Sequence, residues 1–179
     1  MSKNKFYTVN DDQQECVAQC LKALLNDNGK FFVISGSAGT GKTYLINAIN
    51  DSLMRVGFAS VCSAFTGIAA SLTSETSRTL HSIIYDVQYD KDLNIKFVEK
   101  DPKDVTYDFI IVDEASMVPD NMINFLLSTK AKLIFIGDHK QLPPVKNSDF
   151  NILDETNYTL TEIVRTKKDD PIVKLSQEA

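Results

Sequence analysis

The sequence predicts an α/β fold in which helices flank a parallel sheet. Short, continuous apolar runs, such as FFVIS at 31–35 and AKLIFIGD at 131–138, are typical of strands that are buried on both faces. They alternate with segments whose apolar residues recur at helical spacing, which is the pattern of β-α-β units. The 179 residues suffice for one domain with a small insertion.

The elements of the first half follow from spacing and from helix signals. Residues 12–26 carry Cys16, Cys20 and Leu24 on one helical face, with Asn10 or Asp11 as the N-cap. The glycine and lysine at 29–30 end this helix, and the strand at 31–35 follows. The next predicted elements are a helix at 42–55, a strand within 57–65, a helix at 66–73 and a short helix at 79–84.

The second half continues the same alternation. YDFIIVDEAS, at 107–116, predicts a third strand that ends at two acidic residues. Pro119 suits the first residue of a helix that runs to about 128. The remaining predicted elements are strands at 131–138 and 157–163 and a helix at 170–178.

The charge-rich segment 85–107 departs from the alternation. Its short alternating stretches on either side of DLN predict a β-hairpin that projects from the sheet, and a solvated surface loop fits the pattern equally well. The expected division is therefore an α/β domain at 1–84 and 108–179 with an inserted hairpin at 85–107.

Composition excludes several classes of protein. Hydrophobic residues make up 43% and charged residues 24% of the chain, and no apolar run approaches the roughly 20 residues that span a bilayer. The net charge of -5 argues against a protein coated in nucleic acid but leaves room for a local basic groove. Three cysteines without a second metal-ligating pair indicate reduced thiols and a cytoplasmic location.

The segment GSAGTGKT fits the pattern G-x-x-x-x-G-K-[ST] and lies between a predicted strand and a predicted helix. Its glycines let successive backbone N–H groups turn inward toward phosphate oxygens, and the helix N-terminus favours negative charge. Lys42 can reach the β- and γ-phosphates, and the Thr43 hydroxyl can ligate Mg²⁺. The predicted nucleotide-binding residues are Gly36, Ser37, Ala38, Gly39, Thr40, Gly41, Lys42 and Thr43.

FIIVDEAS predicts the second part of the site. A carboxylate at the end of a buried strand is costly unless it is paired or bound to a metal, so Asp113 is expected to hold Mg²⁺. Glu114 is then placed to polarise the attacking water. This adjacent glutamate favours nucleotide hydrolysis over phosphoryl transfer to a small molecule.

Two further polar residues follow later predicted strands. Gln141, in GDHKQLPPV, is expected near the γ-phosphate because the carboxyl ends of parallel strands share one edge of the sheet. Arg165, in LTEIVRT, suits a γ-phosphate, where it would stabilise transition-state charge, and a surface salt bridge is an equal alternative. His139 is interpreted as an ordinary loop residue.

The order of these motifs resembles that of superfamily 1 DNA helicases, in particular the RecD-like and Dda-like branch. The similarity runs from about Val9 to the end of the chain and is carried by GSAGTGKT, AFTGIAA, TLHSII, IVDEASM, GDHKQLPPV and LTEIVRT. TLHS together with GDHKQLPPV is the specific part. The resemblance implies an ATP-binding RecA-like domain of the P-loop NTPase class, with ATP and Mg²⁺ as cofactors and with single-stranded DNA and a duplex junction as partners.

The resemblance also implies roles that spacing alone does not give. Gln13 would bind the adenine edge, and the inserted hairpin would be a pin that splits the duplex, with Phe97 or Tyr89 as its aromatic. Four further residues would lie along the single-stranded DNA track: Thr66, Gly67, Thr79 and His81. Helix capping and packing are the alternative interpretation of these four.

The chain also differs from the family. Phe65 stands where members often have proline, and Ile68 lies where a basic residue is common. A complete helicase of this kind has a second RecA-like domain, which we expect to be absent here, so the isolated chain is expected to be incomplete and weakly active. A non-catalytic nucleotide- or DNA-binding module and a small-molecule P-loop kinase remain alternatives.

Overall fold

The computed structural model describes residues 9–65, 77–139 and 151–164. The strands within them are β1 (Phe31–Gly36), β2 (Ser60–Ala64), β3 (Arg78–Thr79), β4 (Tyr85–Tyr89), β5 (Ile95–Glu99), β6 (Phe109–Asp113), β7 (Lys132–Gly137) and β8 (Tyr158–Leu160). Six of them form a parallel sheet with the order β3-β2-β6-β7-β1-β8, and β4 and β5 form a separate antiparallel pair. This confirms the predicted parallel sheet with an added hairpin.

Helices lie where the spacing predicts them, with small differences at the ends. Asn10 caps α1 (Asp11–Leu21) through a capping box with Gln13, and Pro119 is the N-cap of α4 (Asp120–Ser128) and not its first residue. No helix in the described parts of the chain is long and apolar enough to cross a membrane. The helices are α1 (Asp11–Leu21, continued by a π-helical turn Lys22–Asn26), α2 (Lys42–Arg55), α3 (Leu80–Ile84) and α4 (Asp120–Ser128). The helices predicted at 66–73 and 170–178 lie outside the described residues.

The sheet buries two apolar layers, one on each face. Because successive side chains of a strand point to opposite faces, Val33, Val112 and Phe135 pack into one layer, while Ile34, Ile111 and Ile136 pack into the other. The second layer also contains all three cysteines as free, buried thiols. Burial raises the pKa of Cys20 and Cys62 to about 12, so these residues act as small apolar groups.

The hairpin exposes an apolar face. Val87 is opposite Phe97, and Tyr89 is opposite Ile95, and all four side chains are more than half exposed. At the tip, the Asp90 carboxylate accepts hydrogen bonds from the backbone of Asp92 and Asn94 and from the Asn94 side chain. The expected hairpin is therefore present, and its paired strands end at Glu99, while Pro102–Asp104 form a 3₁₀ turn.

Candidate nucleotide-binding site

The glycine-rich loop at 36–41, which we call the phosphate loop, joins the buried end of β1 to the first turn of α2, as the sequence predicts. Gly39 and Gly41 have φ values of 85° and 76°, which lie in the left-handed region that side chains disfavour. Gly41 is the N-cap of α2, so the loop enters the helix through a left-handed residue. The N–H groups at the start of α2 therefore border the loop, as an anion site requires.

Lys42 lies folded over this loop. Its Nζ donates to the carbonyl oxygens of Gly36 at 2.7 Å and of Ser37 at 3.0 Å. Thr40 is buried, and its hydroxyl donates to the same Ser37 carbonyl at 2.9 Å, whereas Thr43 is exposed at the start of α2. Lys42 and Thr43 thus place an ammonium group and an exposed hydroxyl group where the loop enters α2.

Gln13 lies beneath the loop. Its side chain is 2% exposed, its Nε2 donates to the Thr40 carbonyl at 3.2 Å, and its Oε1 accepts from the Asn10 N–H at 3.2 Å. A Cβ atom at Gly41 would lie 2.7 Å from Gln13 Nε2. Gln13 therefore supports the phosphate loop directly, a contact that the sequence did not indicate, and its predicted contact with adenine stays a prediction.

The acidic pair lies at the same edge of the sheet as the loop. Phe135 of β7 is paired with Val33 on one side and with Val112 on the other, so β1 and β6 are two strand spacings apart, about 10 Å. Asp113 ends β6 and is 9% exposed. Glu114 follows with φ 52°, a left-handed conformation that is unusual for a residue with a side chain, and its N–H donates to Asp113 Oδ1 at 2.8 Å.

The electrostatics link this pair to the loop. Burial raises the pKa of Asp113, and the adjacent Glu114 raises it further, while the Glu114 N–H and the Lys42 ammonium group act in the opposite direction. The net result is a raised pKa. Asp113 thus lies within electrostatic range of Lys42, in an environment that penalises an uncompensated carboxylate.

A cavity of about 580 Å³ opens beside the loop, at the ends of β1, β7 and β8. Its lining includes Ser35, Ser37 and Asp138, and on its rim the His139 and Asp154 side chains approach to 3.8 Å. Gln141, which was predicted near this edge, lies outside the described residues, so its contact with a γ-phosphate stays a prediction.

The chain after β8 also reaches the loop. The Val164 N–H donates to the Gly39 carbonyl at 3.0 Å, and Asp12 Oδ2 accepts from the N–H groups of Thr161 and Glu162 at 2.8 and 3.0 Å. Asp11 and Asp12 both lie in the first turn of α1, and no local sequence signal distinguishes one from the other. Arg165 lies outside the described residues, directly after Val164 in the sequence.

Three of the predicted DNA-binding residues lie in the described parts of the chain: Thr79 and His81 at the start of α3, and Phe97 on the hairpin. Thr79 caps α3 by accepting from the Ser82 N–H at 3.3 Å, so its side chain already has the structural role that was the alternative interpretation. The exposed His81 ring lies between Phe65 and Tyr85, at centroid distances of 5.7 and 5.9 Å. Phe97 lies farther out, on the apolar hairpin face. Thr66 and Gly67 lie outside the described residues.

Known proteins resemble this chain in sequence and in fold. An AAA domain family matches residues 8–179. The ATP-dependent DNA helicase dda of enterobacteria phage T4 is 29% identical over 97% of this chain and 43% of the helicase, and the RecBCD enzyme subunit RecD of Buchnera aphidicola is 27% identical over 82% of this chain and 30% of that subunit. A crystal structure of Pif1 helicase from Candida albicans superposes with a TM-score of 0.63 at 24% identity, over 97% of this chain and 44% of that one.

The matched region explains how these comparisons fit together. The chain spans less than half the length of each of these relatives, and the matched part carries the phosphate loop and the acidic pair at one sheet edge. The family match, the related sequences and the shared fold confirm the predicted resemblance. The chain belongs to the AAA domain family, and it matches the N-terminal RecA-like region of superfamily 1 helicases of the RecD, Dda and Pif1 type.

Proposed function

We propose that this chain is the ATP-binding motor domain of a DNA helicase that couples ATP hydrolysis to movement along single-stranded DNA and to duplex unwinding. The observation that carries the proposal is that the Lys42 loop and the acidic pair Asp113 and Glu114 lie at the same edge of the sheet. Because the loop follows β1 and the pair follows β6, two strand spacings or about 10 Å apart, one triphosphate with its metal ion can span both groups.

The donor atoms fit ATP with Mg²⁺. Thr43 and Asp113 offer one hydroxyl and one carboxylate, which suits an ion that keeps phosphates and waters as its other ligands. The described residues contain no group of three or more His, Cys, Asp or Glu side chains that could hold a metal by themselves. Bound Mg²⁺ would neutralise phosphate charge and would also relieve the penalty of burying the Asp113 carboxylate.

The remaining groups supply hydrolysis and its coupling. Glu114, next to the metal ligand, orients and deprotonates the attacking water, and Lys42 exchanges its carbonyl partners for the phosphate oxygens. Arg165 stabilises the charge that develops on the transferred group, and Gln141 senses whether the γ-phosphate is present.

Two surfaces support DNA binding. The row Phe65–His81–Tyr85 offers neighbouring rings, tilted by 45° and 30° to one another, which suits the faces of unpaired bases. The exposed Arg78 and the half-buried Thr79 lie next to this row in the chain and can meet phosphate oxygens. The apolar hairpin face, with Phe97, then acts as the pin at the duplex junction.

Unwinding requires more than this domain. The relatives are longer, and a second RecA-like domain would close the nucleotide cleft and complete the transition-state contacts. We therefore expect this chain alone to bind ATP weakly, to hydrolyse it slowly and not to unwind DNA. A cytoplasmic setting, and work in replication, repair or recombination, fit the proposal.

Titration calorimetry with ATP tests the nucleotide site. Lys42→Ala removes a charged partner of the phosphates, so we expect ATP affinity to fall by about 10- to 100-fold. Lys130→Ala is the matched control, because it removes an exposed lysine before the amino-terminal end of β7, whereas the loop lies at the carboxyl ends of the strands. If ATP produces no heat of binding with the wild-type chain, either with or without Mg²⁺, nucleotide binding is refuted.

Fluorescence anisotropy with a labelled single-stranded oligonucleotide tests the DNA surface. His81→Ala should weaken binding by about tenfold, since loss of one stacking partner removes roughly 1–3 kcal/mol. Ser128→Ala, on an exposed position at the end of α4, should leave the affinity unchanged. Equal affinities for the wild type and both variants would remove this row from the DNA track.

A further inference from the structure

The segment that follows β8, residues 161–164, lies against the outer side of the phosphate loop; we call this segment the strap. The Val164 N–H donates to the Gly39 carbonyl at 3.0 Å. A Cβ atom at Gly41 would lie 3.0 Å from Val164 Cγ2, and one at Gly39 would lie 3.6 Å from Ile163 Cγ2. Both left-handed glycines of the loop are therefore covered by strap side chains.

A single carboxylate holds the strap in place. Asp12 Oδ2 accepts from the Thr161 and Glu162 N–H groups at 2.8 and 3.0 Å, and the Tyr158 hydroxyl donates to Asp12 Oδ1 at 2.9 Å. Burial and the neighbouring carboxylate raise the pKa of Tyr158 to about 12, so the hydroxyl remains a donor at neutral pH. Hydrogen bonds to an ionised acceptor are stronger than those between neutral groups, so this is a firm attachment.

The same turn of α1 holds the loop from the other side. Gln13, next to Asp12 in the sequence, donates to the Thr40 carbonyl at 3.2 Å from a buried position. The loop is thus enclosed between Gln13 on its inner side and the strap on its outer side. Both supports begin at adjacent residues of one helical turn.

We infer that Asp12 is a positioning residue for nucleotide phosphates, acting through the strap on the phosphate loop. The inference rests on the proposed nucleotide site. Glycines at 39 and 41 give the loop access to conformations whose N–H groups do not converge on one anion. By anchoring Thr161 and Glu162, Asp12 keeps Val164 against Gly39 and favours the binding-competent loop, and a larger competent fraction raises the apparent affinity.

The test compares two neighbouring carboxylates. Asp11→Ala and Asp12→Ala each remove one negative charge from the first turn of α1, so they change the helix-dipole interaction alike, but Asp12→Ala also releases the strap. We expect Asp12→Ala to weaken ATP and ADP binding by about tenfold, because it removes the two charged hydrogen bonds that hold the strap, and Asp11→Ala to leave both affinities within about twofold. Asp12→Asn keeps a neutral acceptor and should fall between them.

Hydrogen exchange separates positioning from general loss of structure. In Asp12→Ala without nucleotide, the amides of Thr161, Glu162 and Val164 should exchange faster, while those of β1 and β7 keep their wild-type protection. If Asp12→Ala fails to fold, Tyr158→Phe, which removes one hydrogen bond to the carboxylate, should still weaken nucleotide binding by about two- to threefold.

The outcomes have distinct meanings. A wild-type chain that binds no ATP would refute the proposed function itself. A wild-type chain that binds ATP, together with Asp12→Ala binding equally well or Asp11→Ala binding equally poorly, would refute the role of Asp12 and leave the nucleotide site intact. Faster exchange throughout β1 and β7 in Asp12→Ala would also refute it, because the carboxylate would then support the whole fold.

Discussion

Replacing Gly41 by alanine should destabilise the fold more than the same change at Gly57, although both glycines adopt left-handed conformations. Gly41 has φ 76° at the start of α2, and Gly57 has φ 95° just beyond its end. A Cβ atom at Gly57 meets nothing within 4 Å, so that substitution reports only the strain of the backbone conformation. At Gly41 the added atom would lie 2.7 Å from Gln13 Nε2 and 3.0 Å from Val164 Cγ2.

These contacts give the expected magnitude. Forcing alanine into the left-handed region costs roughly 1–2 kcal/mol at either position. At Gly41 the Gln13 amide must also withdraw, which breaks its buried hydrogen bond to the Thr40 carbonyl and costs about 1 kcal/mol more. We therefore expect the free energy of unfolding to fall by about 2–3 kcal/mol for Gly41→Ala and by about 1–2 kcal/mol for Gly57→Ala.

Urea unfolding monitored by circular dichroism measures both values, and the midpoints should differ without a change in slope. In a thermal scan the additional 1 kcal/mol corresponds to roughly 2–4 °C for a chain of this size. Equal destabilisation by the two variants would show that the loop yields to the added atom, and the close packing of Gln13 and Val164 against Gly41 would then lose its energetic significance.

Other perturbations should separate stability from function. Asp113→Asn should raise the unfolding temperature. Burial and Glu114 raise the pKa of Asp113, so its charged form opposes folding above that pKa. The same variant should lose Mg²⁺-dependent ATP binding in titration calorimetry. Phe97→Ala should change the free energy of unfolding in urea by less than about 0.5 kcal/mol, since the ring is exposed, and yet reduce unwinding by a complete helicase that carries this domain. Burial raises the pKa of Asp12, but hydrogen bonds from Glu162, Thr161 and Tyr158 outweigh it, and the net pKa lies below the ordinary 3.8. Stabilisation by Asp12 should accordingly be complete above pH 3.8 and be lost as the pH falls through the lower folded value, so acid titrations of the wild type and Asp12→Asn should converge at low pH.

Several features were predictable because they depend on local patterns. Apolar runs such as 31–35 mark strands without reference to the rest of the fold, and the glycines before Lys42 mark a loop whose conformation needs them. The cap at Asn10 follows from the reciprocal spacing of Asn10 and Gln13. The two-residue strand β3 was missed because it is too short to carry a period, and it exists only by pairing with β2.

Side-chain partners were less predictable, since they depend on what the fold brings close. Thr79 belongs to a motif that suggests DNA contact, which stays a prediction, and its hydroxyl oxygen caps α3. The adenine contact of Gln13 also stays a prediction, and the sequence did not indicate that its amide donates to the Thr40 carbonyl of the phosphate loop. A polar side chain takes whichever partner burial leaves within reach, and the residue type does not reveal that partner.

The amino-acid sequence alone predicted an α/β domain with a glycine-rich loop before Lys42 and an acidic pair at Asp113 and Glu114. It could do so because short stretches of sequence determine the backbone conformation of the loop and the burial of the strands. Three-dimensional packing determined that β7 lies between β1 and β6, which brings Lys42 near Asp113, and that Asp12 rather than Asp11 anchors the strap. Such contacts join residues far apart in the chain, and their energy depends on distances that no sequence window contains.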